Sequence, residues 1–282
     1  MNKLSAVILS RNDENNFNNN YERSVYCINS FTKHFDEVVL VDWNSPTPLI
    51  NLLEPSLIKR GNLRIVEVPC EFINDVIKQK HSDIPIVCKV LGKNVGIRRA
   101  SGDFILNTNI DIISPERKNI DKFTFDKNTM YTSARINVSL STVLNYTKIN
   151  ELYDYLNTNK HLLHRERTHI NNDSELSADF YSKVNCCGDF QFASRAVYNE
   201  IRGYEESAVY RNYADTNLQI KAYNNGSKIE AIDLPYFHLN HLDRALSVKS
   251  FNDWSLYGDT KFTTQNTENW GYINETFNEI KL

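Results

Sequence analysis

Three groups of residues in this chain have the types and spacing to do chemistry. The first is Asn109-Ile110-Asp111, just after the apolar run Phe104-Ile105-Leu106. A carboxylate at the C-terminal end of a strand can hold a hard divalent cation, Mg²⁺ or Mn²⁺, and bridge it to a diphosphate. Asp111 would equally serve to cap a turn. The second group is His238-Leu239-Asn240-His241, at the exit of a strand over 228–237. Two imidazoles at i, i+3 can offer one or both rings to the same cation; two ordinary half-buried histidines would read the same way. His161, His164 and His169 lie instead in a helical and polar stretch. The third group spans Cys186-Cys187-Gly188-Asp189-Phe190-Gln191, then Gly203-Tyr204-Glu205-Glu206, then Asp215. A shielded carboxylate such as Asp215 is what a general base for an attacking hydroxyl requires. Before Thr216-Asn217-Leu218 it is also what a helix cap looks like. Cys186 and Cys187 have no His nearby in sequence and read as small packing residues.

The elements that must position these groups follow from periodicity. Residues 4–9, 37–42, 63–68 and 103–107 are short apolar runs with polar ends. Such runs suit strands buried on both faces, as in a parallel sheet. Between the first two, residues 21–34 carry Val25, Ile28, Phe31 and Thr32 at helical spacing; between the last two, residues 87–100 carry Val87, Val90, Leu91, Val95 and Ile97. This strand–helix–strand rhythm predicts a Rossmann-like half over the first 110 or so residues. Its strands' carboxyl ends are where ligands bind. Beyond it the pattern predicts helices at 149–164, 195–202 and 214–224 and strands at 189–194 and 228–237. Residues 169–177 read as a polar loop, and the tail after Arg244 is polar with Trp254, Tyr257, Trp270 and Tyr272. With no internal repeat and no linker, one domain over 1–282 is expected, in halves 1–112 and 113–282.

Composition narrows the class. Across 282 residues, Lys+Arg 32 against Asp+Glu 35 gives a net charge of −3, without the basic excess of a general nucleic-acid binder. No apolar run approaches the roughly 18 residues of a membrane span. Met1-Asn2-Lys3 leads straight into a strand-like run rather than a secretory signal. Five Cys with no C-x-x-C fit reduced thiols in a cytoplasmic setting. Runs such as Asn18-Asn19-Asn20 read as the codon bias of an AT-rich genome, a large DNA virus or an AT-rich microbe. Asn137, Asn145 and Asn274 open N-x-S/T sequons that so Asn-rich a chain carries by chance.

Taken in order, the clusters resemble a known family. Lys93-Asn94-Val95-Gly96-Ile97-Arg98-Arg99-Ala100-Ser101-Gly102-Asp103-Phe104-Ile105-Leu106, continued by Asn107-Thr108-Asn109-Ile110-Asp111, resembles the run that precedes the metal-binding D-x-D of GT-A-type glycosyltransferases, close to the family-2 group. Gly188-Asp189-Phe190-Gln191 to Gly203-Tyr204-Glu205 is similar to its acceptor-side segment. Tyr213-Ala214-Asp215-Thr216-Asn217-Leu218 resembles its E-D-x-D-L helix start, and Tyr236-Phe237-His238-Leu239-Asn240-His241 its y-H-x-x-H strand end. Two departures stand out. Asn109 replaces the first Asp of the D-x-D, and Ala214 replaces the Glu of the E-D pair.

The resemblance implies an α/β GT-A fold and inverting transfer of a sugar from a nucleotide-diphosphate sugar, a UDP-sugar, to a hydroxyl acceptor such as a glycan. It implies that Ser10, Arg11 and Asp13 approach the nucleotide and that Asp42 accepts from a uracil N–H. Asp42 before Asn44-Ser45-Pro46 would also serve a turn. Asn94, Asn109, Ile110 and Asp111 join the nucleotide-sugar set, as does Arg98 near the diphosphate, although Arg98-Arg99 also reads as a solvated helix face. Asn109 can hydrogen-bond ribose hydroxyls but adds no charge to a cation. The implied cation, Mn²⁺ or Mg²⁺, then rests on Asp111 with His238 or His241. Gly188, Asp189 and Glu205 fall on the acceptor side, and Asp215 is the implied base. A binding-only relative of the family stays open, because Asn109 and Ala214 are both losses of charge. A sugar-nucleotidyltransferase would need a Gly-rich loop after the first strand, and Ser10-Arg11-Asn12-Asp13-Glu14 has no Gly. A dehydrogenase would need G-x-G-x-x-G, which follows no strand here.

Overall fold

The computed structural model describes residues 2–12, 20–81, 86–146, 148–161, 163, 165–166, 188–209, 214–240 and 264–282. The four apolar runs form strands β1 (Leu4–Ser10), β2 (Glu37–Trp43), β3 (Leu63–Val68) and β4 (Phe104–Asn109). They lie in the order β3-β2-β1-β4, all parallel. Every residue of β1 is buried, as strands covered on both faces require. Helix α1 (Asn20–His34) covers one face, where Ile28, Phe31 and Phe35 meet Ala6, Ile8, Val38 and Leu40. Helix α2 (Lys89–Arg99) covers the other, where Leu91, Val95 and Ile97 meet Val7, Leu9, Val39 and Val41. α2 lies close because Gly92 and Gly96 face the sheet. A Cβ at Gly96 would stand 2.5 Å from Val7 Cγ1, and one at Gly92 2.4 Å from Leu9 Cδ1.

Beyond β4 the sheet continues through both halves of the chain. Strands β5 (Ile112–Ile113), β6 (Thr129–Ser139), β7 (Arg165–Glu166), β8 (Gln191–Ser194), β9 (Lys228–Asn240) and β10 (Asn278–Lys281) complete ten strands in the order β10-β3-β2-β1-β4-β8-β6-β9-β5, with β7 paired to β6. β8 runs antiparallel to β4 and β6, whereas β6 and β9 are parallel over a long register. Helix α3 (Ile149–Asn159) packs Leu152, Tyr153 and Leu156 on Ile136, Val138, Phe237 and Leu239. After β8 come α4 (Arg195–Glu200) and α5 (Ala214–Asn224), the latter burying Leu218, Ile220 and Ala222 on the α2 face. The protein is therefore α/β, with a mostly parallel sheet between helices, as the sequence predicts.

Several expected boundaries move. β4 runs on to Asn109, and β9 to Asn240, so His238 lies within a strand rather than in a loop exit. The third helix ends at Asn159, short of the expected His164. β6 lies in a stretch for which the sequence predicts no strand, and the polar tail supplies β10 as an edge strand antiparallel to β3. The expected loop 169–177, Cys186, Cys187, Trp254 and Tyr257 lie outside the described residues. No helix among the described residues is long and apolar enough to cross a membrane.

Candidate active site

The chain leaves β1 for β2 on one side and later places β4 on the other, so the strand order reverses between β1 and β4. Crevices open at the carboxyl ends of strands at such a point. Here Ser10, Arg11 and Asn109 stand at those ends. Ser10 is buried, and its hydroxyl makes no hydrogen bond among the described residues. Arg11 donates to the Trp43 carbonyl at 3.2 Å. Antiparallel pairing of β8 with β4 brings Asp189 beside Asn109. Asn109 Nδ2 donates to Asp189 Oδ1 at 2.6 Å, and Arg135 donates to Asp189 Oδ2 at 3.0 Å. A carboxylate at 109 would face the Asp189 carboxylate at that distance. The carboxamide replaces like-charge repulsion with a hydrogen bond.

β5 folds back antiparallel to β9, opposing Ile112 to His238. That pairing sets His238 Nε2 3.7 Å from Asp111 Oδ2, and the Leu239 N–H donates to the Asp111 carbonyl at 2.8 Å. The other ring nitrogen, Nδ1, lies 2.9 Å from Asn137 Oδ1 on β6. Among the described residues no group of three or more His, Cys, Asp or Glu could hold a metal. One carboxylate and one imidazole nevertheless fit a hard cation that takes its remaining ligands from phosphate oxygens and water. With ligands at about 2.0–2.1 Å each, a 3.7 Å separation is within the span of a single ion. His241 and Asp13 lie outside the described residues.

Across the crevice, the first turn of α5 presents Asp215, half-buried, with Lys89 Nζ 2.5 Å from Oδ2 and the Tyr204 hydroxyl donating to Oδ1 at 3.1 Å. Gly188 makes room for it, since a Cβ there would fall 2.1 Å from the carboxylate carbon. Burial pushes the Asp215 carboxyl up, but Lys89, Lys93 and the hydrogen bonds outweigh it and hold it below the ordinary value. Lys93, one helical turn after Lys89, is fully buried and donates to the Gly188 carbonyl at 3.2 Å. Burial, reinforced by Lys89, pushes its ammonium down to about 7, against the attraction of Asp215, Asp189 and Asp111. These three carboxylates come from three separate segments: the turn after β4, the stretch just before β8 and the first turn of α5. Behind them Asn107 donates to Gln191 and to the Tyr204 hydroxyl, and Gln191 donates to the Asp215 carbonyl, locking the α5 start to β4 and β8.

Other expected site residues have different surroundings. Arg98 is a correction. α2 runs antiparallel to the strands, so Arg98, in its last turn, lies at the far end of the sheet from Asn109. It stacks 5.0 Å from the Trp270 ring and donates to Asn199. Asn94 is fully buried, and its carboxamide donates to the Tyr204 carbonyl and Glu206 while accepting from the Tyr204 N–H. Asp42 accepts from the Ser45 hydroxyl and, at 2.8 Å, from the Leu49 N–H, the geometry of a turn residue, and burial raises its pKa. Ile110 packs half-buried between two apolar clusters. Glu205 is buried and accepts from Ser207 and Asn217. Sequence reasoning assigned no role to Lys89, Lys93, Arg135 or Asn137. Lys89 and Lys93 stand at i, i+4 immediately before Asn94, and Arg135 and Asn137 alternate with Ile136 and Val138, so spacing carried a signal for both pairs.

No family model and no curated protein matches the sequence. Among solved structures, the chain is similar to S. aureus TarS 1-349, with 16% identity and a TM-score of 0.49, over 84% of this chain and 60% of that one. It is also similar to mannosyltransferase PcManGT from Pyrobaculum calidifontis in complex with GDP-Man and Mn²⁺, with 13% identity, a TM-score of 0.48, and 84% and 56% of the two chains covered. Glucosyl-3-phosphoglycerate synthase from Mycobacterium tuberculosis in complex with Mn²⁺, UDP and phosphoglyceric acid gives 15%, 0.46, and 88% and 75%. The chain thus spans about three fifths or less of the length of the first two.

Proposed function

We propose that this chain is a GT-A-type glycosyltransferase that moves a sugar from a UDP-sugar to an acceptor hydroxyl with inversion. Residues 1–112 would hold the nucleotide and 113–282 the acceptor. The observation that carries this reading is that three carboxylates meet at the carboxyl end of β4: Asp215 packs against Gly188, the adjacent Asp189 is bonded to Asn109, and Asp111, two residues on, faces His238. A nucleotide binder without group transfer has no need of a second carboxylate, Asp215, across the crevice from the Asp111–His238 pair.

In this reading Asp111 and His238 hold a divalent cation, which when bound supplies positive charge to the leaving diphosphate. Lys93 lies buried beside them, its amine fixed on the Gly188 carbonyl. Asp189, fixed by Asn109 and Arg135, shapes the floor. Asp215, kept ionised by Lys89, takes the proton from the acceptor hydroxyl. The acceptor oxygen forms its bond to the anomeric carbon as the bond to the diphosphate oxygen breaks, and a single displacement inverts the centre. The contrary reading, binding without turnover, is favoured by the ion pair Lys89–Asp215, which occupies the base. A panel of UDP-sugars with Mn²⁺ and hydroxyl acceptors, followed by UDP release, separates the two. Metal-dependent release supports transfer, and donor binding with no release across the panel supports the rival.

A further inference from the structure

We infer that Asn137 is the positioning residue for His238. It fixes the imidazole as the Nδ1–H tautomer, so that the Nε2 lone pair is directed at Asp111 and the pair is set in advance for a divalent cation. The inference rests on the glycosyltransferase reading for the identity of the cation.

Asn137 and His238 are direct partners in the parallel register of β6 and β9, and Ile112 opposes His238 from the other side. The line Asn137–His238–Asp111 therefore runs from β6 across β9 to the turn that opens β5. His238 is buried, and its Nδ1 is 2.9 Å from Asn137 Oδ1. A carboxamide oxygen only accepts, so this contact places the proton on Nδ1 and the lone pair on Nε2. Nε2 then meets Asp111 Oδ2 at 3.7 Å. In that tautomer the Nε2 lone pair and Asp111 Oδ2 face the same point, where a divalent cation would take both as ligands. Partners that orient a ligating His commonly account for 10–100-fold in metal affinity. The neighbouring Arg135, two residues earlier on β6, does the corresponding work for Asp189. β6 thus presents one buttress to each half of the crevice.

The test combines two measurements on the full chain. Nitrogen-15 NMR of the histidine rings at pH 8 reads the tautomer of His238, assigned by its loss in His238→Ala. Mn²⁺ affinity in the presence of UDP is read by electron paramagnetic resonance for wild type, Asn137→Leu and Asn137→Asp, with melting temperature as the check on folding. The expected result is an Nδ1–H ring in wild type, a 10–100-fold loss of Mn²⁺ affinity in Asn137→Leu, and affinity kept in Asn137→Asp, which still accepts from Nδ1. An Nε2–H ring in wild type overturns the inference. So does Mn²⁺ affinity unchanged in Asn137→Leu while wild type binds the ion, and in that case the glycosyltransferase reading stands. Wild type taking up no Mn²⁺ with UDP overturns both, and so distinguishes the two failures.

Discussion

In the proposed reaction, Asp215 and the two lysines near it define the chemistry at the scale of single residues. A general base must be ionised at rest, and Lys89 at 2.5 Å secures that. Asp215→Asn keeps the shape, and its carboxamide oxygen can still accept from the Tyr204 hydroxyl. We expect its transfer rate to fall about 10²–10⁴-fold with UDP affinity nearly unchanged; steady-state rates beside calorimetry check this. Near-normal transfer would move the base to another carboxylate. Lys93 gives a pH signature. Its folded pKa of about 7 lies below the 10.5 of an exposed lysine. Between those values the unfolded chain holds the proton that the folded chain has lost, so stability from this group rises with pH. The cost of burying the ammonium is fully present below about pH 7 and is relieved as pH climbs toward 10.5. The melting temperature of wild type relative to Lys93→Met should therefore increase from pH 6.5 to pH 9.5, and a flat difference would show that Lys93 keeps its proton.

At the scale of elements, the site depends on how closely helix α2 lies on the sheet. Gly96→Ala places a methyl 2.5 Å from Val7 Cγ1, in the middle of a buried strand. Overpacking of this kind costs about 1–3 kcal/mol, so thermal denaturation should show a melting temperature several degrees lower. An unchanged melting temperature would mean that the helix shifts freely, and that its spacing does not hold Lys89 and Lys93 in place. The elements legible in the sequence were those whose own residues decide them. β1 to β4 are runs buried on both faces, and α5 ends at Asn225-Gly226, where Gly226 has φ +87°. β6 was not legible, because its second part alternates Arg135, Ile136, Asn137, Val138 only after a register shift between Ser133 and Arg135. β10 has one half-buried residue, Ile280, among four, and forms because β3 offers it an edge. At the site, the sequence set Asp111 with His238 or His241, and among the described residues His238 lies 3.7 Å from it. Their orientation by Asn137, and the location of Arg98 at the wrong end of α2, depend on which way neighbouring elements run.

For the whole molecule, one twisted sheet carries both halves of the proposed reaction. In that proposal the parallel part carries the nucleotide, and the mixed part, β8-β6-β9-β5, with the turns that flank it, brings Asp189, Arg135, His238 and Asp111 toward the end of β4. A chain of net charge −3 still places Lys89, Lys93 and Arg135 among three carboxylates there. That leaves the crevice suited to an anion that arrives with a cation of its own. In the proposed reading Asp111 and His238 would supply two ligands, too few to hold a divalent ion tightly without the phosphate oxygens of the nucleotide. Nucleotide and metal should accordingly bind as a pair, each raising the affinity of the other by the same factor. Titration calorimetry of UDP into the full chain, in Mn²⁺ and after EDTA, tests this central claim most directly. The account predicts clear binding with Mn²⁺ and a loss of at least tenfold in affinity without it, reproduced in Mn²⁺ by His238→Ala. Equal UDP affinity in Mn²⁺ and EDTA would contradict it.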